Sequence, residues 1–259
     1  MDKVLLFIPC YNCENQITRV LEKVSAYSDY FNEILIVNNI STDHTEQVAI
    51  STIKQLTIGN AKVVRNHSNY GLGGSHKAAF NYAIENNFDY VVVLHGDDQG
   101  NLSDIMAQLK NDKHKQNDCL LGARFMSGSK LVGYSKFRTF GNFVYNLLFS
   151  VVVRFPVKDL GSGLNCYDVK MLKNKFYIKF PDNLTFNYCM VMAIQYHQQK
   201  FIFFPIQWSE DDQVSNVKLF SQARLVLEML WHYLIDRSRF MNEEHREIKH
   251  NSYTFDIVG

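Results

Sequence analysis

Along the first half of the chain, short apolar runs alternate with amphipathic stretches. Val4–Ile8, Glu33–Val37, Ala61–Arg65, Tyr90–Leu94 and Cys119–Leu121 read as strands. Between them, the regions near Asn15–Ala26, Thr45–Leu56, Ser75–Asn86 and Leu102–Lys113 carry the periodicity of helices. This β-α-β-α order predicts an α/β fold with a mostly parallel, Rossmann-like sheet flanked by helices. Ligands of such sheets sit at the carboxyl ends of the strands. The residues just after each apolar run are therefore the ones to inspect for chemistry.

The second half breaks the rhythm. Phe140, Phe143, Val144, Leu147, Leu148, Val151, Val152 and Phe155 form a helical stripe, with Asn142, Asn146, Ser150 and Arg154 on the opposite face. A core-facing helix and a helix resting at a membrane interface both fit that pattern. Thr185–His197 reads as a helix, Phe201–Trp208 as a strand and Lys218–Ile235 as a helix whose Trp231 and Tyr233 suit an interface or a core equally. The tail from Asp236 is charged, and Tyr253–Val258 is its one segment able to dock. No repeat or Pro/Gly-rich linker interrupts the chain. A single domain over 1–235 is expected, with halves at 1–125 and 126–235 and a C-terminal tail at 236–259.

Composition narrows the function classes. With 46% hydrophobic and 20% charged residues, the 259-residue chain has the make-up of a globular protein. A net charge of +1 without a long basic run gives no support for nucleic acid as a partner. The cysteines (Cys10, Cys13, Cys119, Cys166 and Cys189) are odd in number and form no dense framework, which fits a reduced compartment. Cys10-x-x-Cys13 has redox spacing, but its Pro-Cys-Tyr-Asn context argues against that use. No apolar stretch approaches the roughly 18 residues of a spanning helix, and Val4–Ile8 is too short for a secretory signal. A cytoplasmic protein, soluble or peripheral at the inner face of the membrane, is expected.

The strongest local signal is Val91-Val92-Val93-Leu94-His95-Gly96-Asp97-Asp98-Gln99, where a buried strand releases two carboxylates, a histidine and an amide. Hard oxygen donors at a strand end suit Mg2+ or Mn2+, although a polar loop with a helix cap would read alike. Directly after the first strand, Pro9-Cys10-Tyr11-Asn12-Cys13-Glu14 offers a ring to stack on a base. Asn12 and Glu14 are placed either to hydrogen-bond that base or to begin the next helix. Asn38-Asn39-Ile40-Ser41-Thr42-Asp43 ends another strand, and Asn69-Tyr70-Gly71-Leu72-Gly73-Gly74 opens a helix whose N-terminus favours anions. Each signal alone is weak; four polar strand ends in one sheet are not.

In this order the motifs resemble those of inverting family-two glycosyltransferases with the A-type nucleotide-sugar fold, particularly the dolichol- or polyprenyl-phosphate sugar synthase branch. The resemblance rests on Pro9, Tyr11, Asn12 and Glu14, on Asn38 to Asp43, on Asn69, Gly71 and Gly73, and on His95 to Gln99. It continues through Gly122-Ala123-Arg124 and Asp159-Leu160-Gly161-Ser162-Gly163-Leu164-Asn165-Cys166-Tyr167, and so runs from residue 4 to about residue 220. It implies a nucleotide-sugar-binding half at 1–125 and an acceptor half at 126–235. It also implies a UDP- or GDP-sugar donor held by Pro9, Tyr11, Asn12, Glu14, Asn38, Asn39, Gly71, Gly73, His95 and Lys218, with Mg2+ or Mn2+ at Asp97 and Gln99. Lys218 matches a family position on a loop that covers the nucleotide.

The chain departs from the family pattern at three places. Asn38 and Asn39 replace an acidic pair, His95 replaces the first acid of the metal motif, and Cys189 stands where a glutamate is common. For the acceptor, the resemblance implies polyprenyl phosphate held by Arg124 and Arg138, whose guanidinium groups suit phosphate. A glycan hydroxyl remains the alternative, with Asp159 and the acids of Glu210-Asp211-Asp212 as base candidates. A non-catalytic nucleotide-sugar-binding protein is the reading from another class.

Overall fold

The computed structural model describes residues 2–210 and 219–259. The five expected strands form as β1 (Val4–Cys10), β2 (Glu33–Asn38), β3 (Ala61–Asn66), β4 (Tyr90–Leu94) and β5 (Cys119–Ala123). They alternate with α1 (Ile17–Ser25), α2 (Thr45–Leu56), α3 (Gly71–Glu85) and α4 (Leu102–Lys110). Every residue of β1 and β4 is buried. Leu5 and Phe7 enter one apolar cluster while Val4, Leu6 and Ile8 enter another. Helices thus cover both faces of the sheet, which is why these strands read as unbroken apolar runs.

Beyond β5 come β6 (Lys130–Val132), α5 (Lys136–Val153), β7 (Leu164–Asp168), α6 (Val169–Leu172) and α7 (Phe186–Tyr196). They are followed by β8 (Phe201–Pro205), β9 (Gln207–Ser209), α8 (Leu219–Ile235), α9 (Arg237–Asn242) and β10 (Phe255–Ile257). The main sheet runs β10-β3-β2-β1-β4-β7-β5-β8. Strands β1 to β4 pair in parallel, as does β5 with β8. The mostly parallel, helix-flanked sheet is as expected.

The structure departs from the pattern of the sequence in three places. First, β7 was not anticipated: it pairs antiparallel with both β4 and β5. Its Asn165 and Asp168 hide its strand character, yet Asn165 Oδ1 accepts the Gly122 N–H at 3.2 Å. Second, Phe201–Trp208 is two strands, because Pro205 cannot donate to a ladder. β8 stays in the main sheet, and β9 pairs with β6 in a separate two-stranded sheet.

Third, α3 begins at Gly71, not near Ser75. Gly71 takes φ +70°, and its N–H donates to Asn69 Oδ1 at 3.1 Å. The tail returns to the sheet where Tyr253–Val258 was expected to dock: β10 lies antiparallel on β3.

The apolar stripe on and after α5 is split: Leu148, Val152 and Phe155 pack against the core, and the rest faces away from the protein. Phe149 and Val153 enter the core, but Asn146 is buried beside them. The Asn146 amide donates to Lys158 O at 2.7 Å, and Ser150 Oγ accepts the Val157 N–H at 2.8 Å. These polar groups satisfy the backbone of the turn that follows the helix, which sets the helix's rotation. The centre of the stripe is left outside, with Phe140 67%, Leu147 64% and Val151 69% exposed.

Candidate functional site

The carboxyl ends of β1 and β2 are joined by a zipper of side chain to backbone bonds. Asn12, at φ 51°, donates its N–H to Ser41 Oγ at 3.0 Å, and its Oδ1 accepts the Thr42 N–H at 2.8 Å. Glu14 Oε2 accepts the His44 N–H at 2.8 Å, and Asp43 Oδ2 accepts the Glu14 N–H at 3.1 Å. Of the two roles open to Asn12 and Glu14, the structure places both in loop architecture. Tyr11, between Pro9 and this zipper, is 52% exposed.

Asn38 and Asn39 are buried in a second network. Asn38 accepts the Ser41 N–H at 2.9 Å and donates to Glu46 Oε2 at 2.8 Å. Glu46 also accepts from Arg65 Nε at 2.7 Å, and Arg65 with Asn38 holds its carboxyl below the usual carboxylate range. An aspartate at 38 would face this carboxylate without a proton to offer; the amide does both jobs. Asn39 Oδ1 accepts from Asn66 Nδ2 and from the Tyr70 N–H, each at 2.9 Å, while its amide donates to Asn69 Oδ1 at 2.7 Å.

The glycines opening α3 meet protein. A Cβ on Gly71 would lie 2.4 Å from Asp182 O, and one on Gly73 would lie 2.5 Å from Pro181 O. The Gly73 N–H donates to Asp182 O at 2.7 Å. Below them Lys77, fully buried, donates to Phe180 O at 2.5 Å and to Asp182 Oδ1 at 2.6 Å. Burial lowers its pKa to about 8 against the pull of Asp182. Tyr253 from the tail donates to the same carboxylate at 2.9 Å. No sequence signal pointed to this Lys77–Asp182–Tyr253 cluster, whose members are far apart in the chain.

At the end of β4, one carboxylate is committed and one is held back. Asp98, at φ 61°, is bound by Arg19 Nε at 2.9 Å and Lys23 Nζ at 2.6 Å. Asp97 keeps some surface, but its carboxyl is crowded by protein and accepts the Gln99 N–H at 3.2 Å. Burial, opposed by those backbone donors, pushes its pKa up to about 6. Gly96 sits where a Cβ would lie 2.5 Å from Cys10 Sγ, so this loop leans on the end of β1.

His95 is enclosed by the Asp159–Gly163 segment, since a Cβ on Gly163 would lie 2.6 Å from its Nδ1. Burial, with Arg124 adding to it, lowers its pKa to about 4. Its Nε2 and that of His76 are buried, and the two rings lie 6.2 Å apart.

Arg124 and Asp159 meet at the end of β5. Arg124 Nε and Nη2 bind the two Asp159 oxygens, each at 2.8 Å. Asp159 also accepts the N–H groups of Arg124 at 2.8 Å, Leu160 at 2.7 Å and Gly161 at 3.2 Å. The guanidinium lies 4.8 Å from the Trp208 ring centre and 6.0 Å from that of Tyr134. Arg138 sits on the same Tyr134 ring at 4.6 Å and donates to Glu210 at 2.5 Å. Tyr134 and Trp208, missed as site residues, bring the two arginines to one place.

Asp97, His95, Arg124, Asp159, Arg138 and Glu210 therefore form one neighbourhood at the carboxyl edge of the sheet. Cys189 is outside it, buried in the core against Met229. Lys218, Asp211 and Asp212 lie outside the described residues. Among the described residues, no group of three or more His, Cys, Asp or Glu side chains is placed to hold a metal.

Residues 6–202 match the family described as Glycosyl transferase family 2. Solved structures share the fold at low identity. S. aureus TarS 1-349 has 19% identity and a TM-score of 0.54, over 88% of this chain and 65% of that one. TarS 1-349 in complex with UDP-GlcNAc has 18% identity and a TM-score of 0.56, over 92% and 72%. Glucosyl-3-phosphoglycerate synthase from Mycobacterium tuberculosis, in complex with UDP, has 13% identity and a TM-score of 0.62, over 99% and 87%.

Proposed function

The chain belongs to glycosyl transferase family 2, and from that premise we propose that it moves a sugar from a UDP- or GDP-sugar onto polyprenyl phosphate with inversion. A phosphate oxygen of the acceptor forms the bond to the anomeric carbon as the bond to the nucleoside diphosphate breaks. The carrying observation is the state of the carboxylates around Arg124. Asp98 is bound by two cations, Asp159 accepts from five N–H groups and Glu210 is paired with Arg138. A hydroxyl acceptor needs a free base within reach, and Asp97, the carboxylate of this neighbourhood that no cationic side chain binds, serves the cation rather than that task; a phosphate is already ionised and needs no base.

The family implies a divalent cation, and Asp97 fits one. Its carboxyl is crowded, it accepts from backbone N–H groups, and its proton affinity is raised. A cation that takes one or two carboxylates and completes its shell from phosphate and water does not require a larger protein cluster. Asp97 would hold it, with Gln99 beside it. A divalent ion held there would supply positive charge to the leaving diphosphate.

The remaining work falls to the chain. Asp159 fixes Arg124 so that Nη1, which carries no bond to the carboxylate, is free to meet an anionic acceptor, and Tyr134 sets Arg138 alongside. His95, neutral at physiological pH, adds no charge beside the donor. Exposed Tyr11 offers a face for the base.

A transfer assay tests the reading. The protein, Mg2+ or Mn2+ and a panel of UDP- and GDP-sugars are mixed with polyprenyl phosphate, and nucleotide release and label in the organic phase are followed. Labelled lipid is the expected result. Nucleotide release without labelled lipid would move the acceptor to a glycan hydroxyl, with Glu210 as a base candidate. Neither signal from folded protein would favour a non-catalytic nucleotide-sugar-binding protein.

A further inference from the structure

We infer that the outward faces of α5 and α8 form a docking surface for an anionic lipid bilayer. The inference concerns a surface and holds whichever acceptor the site takes. Phe137, Phe140, Val144, Leu147 and Val151 recur at spacings of three and four, so they stand on one face of α5. That face points away from the core, while Asn142, Asn146 and Ser150 spend their hydrogen bonds inward. A surface helix of a globular protein normally has the reverse polarity.

Helix α8 repeats the pattern beside it. Val226, Leu230 and Tyr233 are buried with Phe149 and Val153 of α5 in one cluster. Leu227, Leu234 and Ile235 are exposed, and Trp231 is 61% exposed. Arg237 ties the end of α8 to α5 by donating to Val152 O at 3.1 Å. Two helices packed against each other thus each carry a run of exposed apolar side chains, more than the single ones scattered over an ordinary surface.

Charge selects the occupant. No Asp or Glu occurs between Cys119 and Lys158, whereas Lys136, which opens α5, and Lys158, shortly after its end, are exposed. On α8, Glu228 is paired with Arg224 one turn away. A second copy docked through a twofold axis would set these cations against one another. An anionic headgroup layer complements them while the acyl boundary takes the phenylalanines and leucines. No helix among the described residues is long and apolar enough to cross a membrane, so the contact is one of lying on the surface. The N-terminal end of the face adjoins the arginines, for the Phe143 ring lies 5.7 Å from Phe125, whose ring in turn is 5.1 Å from the Arg124 guanidinium.

Vesicle sedimentation of the full chain tests this, with vesicles of phosphatidylcholine alone and of equimolar phosphatidylcholine and phosphatidylglycerol. The protein is expected to sediment with the anionic vesicles and to be released by raised salt. Phe140→Glu with Leu147→Glu is expected to lower vesicle partitioning at least about tenfold with circular dichroism and Tm unchanged. Lys136→Glu with Lys158→Glu is expected to remove the preference for anionic vesicles. If the paired glutamates disturb α5, Leu147→Ser with Val151→Ser reads the same surface more gently. Failure to bind either vesicle would overturn the inference, as would a dimer in light scattering that Phe140→Glu with Leu147→Glu dissolves. Sedimentation needs no turnover, so its failure is separate from failure of the transfer assay.

Discussion

Arg124 and Asp159, 35 positions apart, meet in a two-point ion pair that fastens the end of β5 to the segment preceding β7. The Asp159 side chain is 1% exposed and that of Arg124 11%. Burial works against the charge on Arg124, but the partner more than offsets it and raises the arginine's pKa. Removing Asp159 leaves the guanidinium charged, enclosed and without its counter-ion.

Asp159→Ala is accordingly expected to cost about 3–5 kcal/mol in urea unfolding. Asp159→Leu combined with Arg124→Met is expected to recover only the part due to the orphan charge, because the Arg124, Leu160 and Gly161 N–H groups still lose their acceptor. A loss under about 1 kcal/mol for the single change would mean that solvent reaches the guanidinium.

Asp97 gives a pH signature. Burial holds its proton up to about pH 6 in the folded chain, against the ordinary aspartate value of 3.8. Between those values the folded state keeps a proton that the unfolded state has released, so stability falls as pH rises through the window. Above it the cost is up to about 3 kcal/mol. Asp97→Asn is expected to raise the Tm at pH 7.5 and to abolish turnover. Mn2+ is expected to raise the Tm of the native chain and not of the variant. An unchanged rate, or equal Mn2+ shifts in both proteins, would remove the metal from Asp97.

Arg138 and Glu210 separate the two acceptor chemistries. With a phosphate acceptor, Arg138→Ala is expected to raise the KM for polyprenyl phosphate about tenfold while donor hydrolysis changes little, a loss of one charge-assisted contact. Glu210→Gln is expected to keep kcat within a few-fold. A fall of about a hundredfold or more in kcat for Glu210→Gln would instead identify a general base and a hydroxyl acceptor.

Gly73→Ala tests whether the glycines serve packing. Its new methyl would lie 2.7 Å from the Phe186 Cβ as well as against Pro181 O. A stability loss of about 1–3 kcal/mol is expected, read as a lower Tm with or without UDP. A variant as stable as the native chain but weak in UDP binding would return these glycines to the donor.

The sheet was legible because buried parallel strands must be apolar on both faces, and the runs ending at Ile8, Val37 and Leu94 could hardly be anything else. The polar residues after them were legible as a group, since loops at that edge must carry whatever chemistry the fold performs. Their individual partners were not. Asn38 beside Glu46, or Asp98 beside Arg19 and Lys23, are contacts between elements, and neither spacing nor composition records which loop leans on which. The α5 stripe shows the same limit: period locates the apolar face, but Lys158 O and the Val157 N–H determine which way it turns. β7 was hidden because its Asn165 faces a backbone N–H inside the sheet, a polar need met by tertiary structure.

The inverted polarity of α5 also separates two properties that usually travel together. In most helices the apolar face supplies the stability, so making it more polar to improve solubility unfolds the protein. Here the helix is anchored by Asn146, Phe149, Ser150 and Val153, and its outer apolar residues touch little of the fold. The outer face can therefore be rewritten for handling in water, one residue at a time, without drawing on what keeps the chain folded.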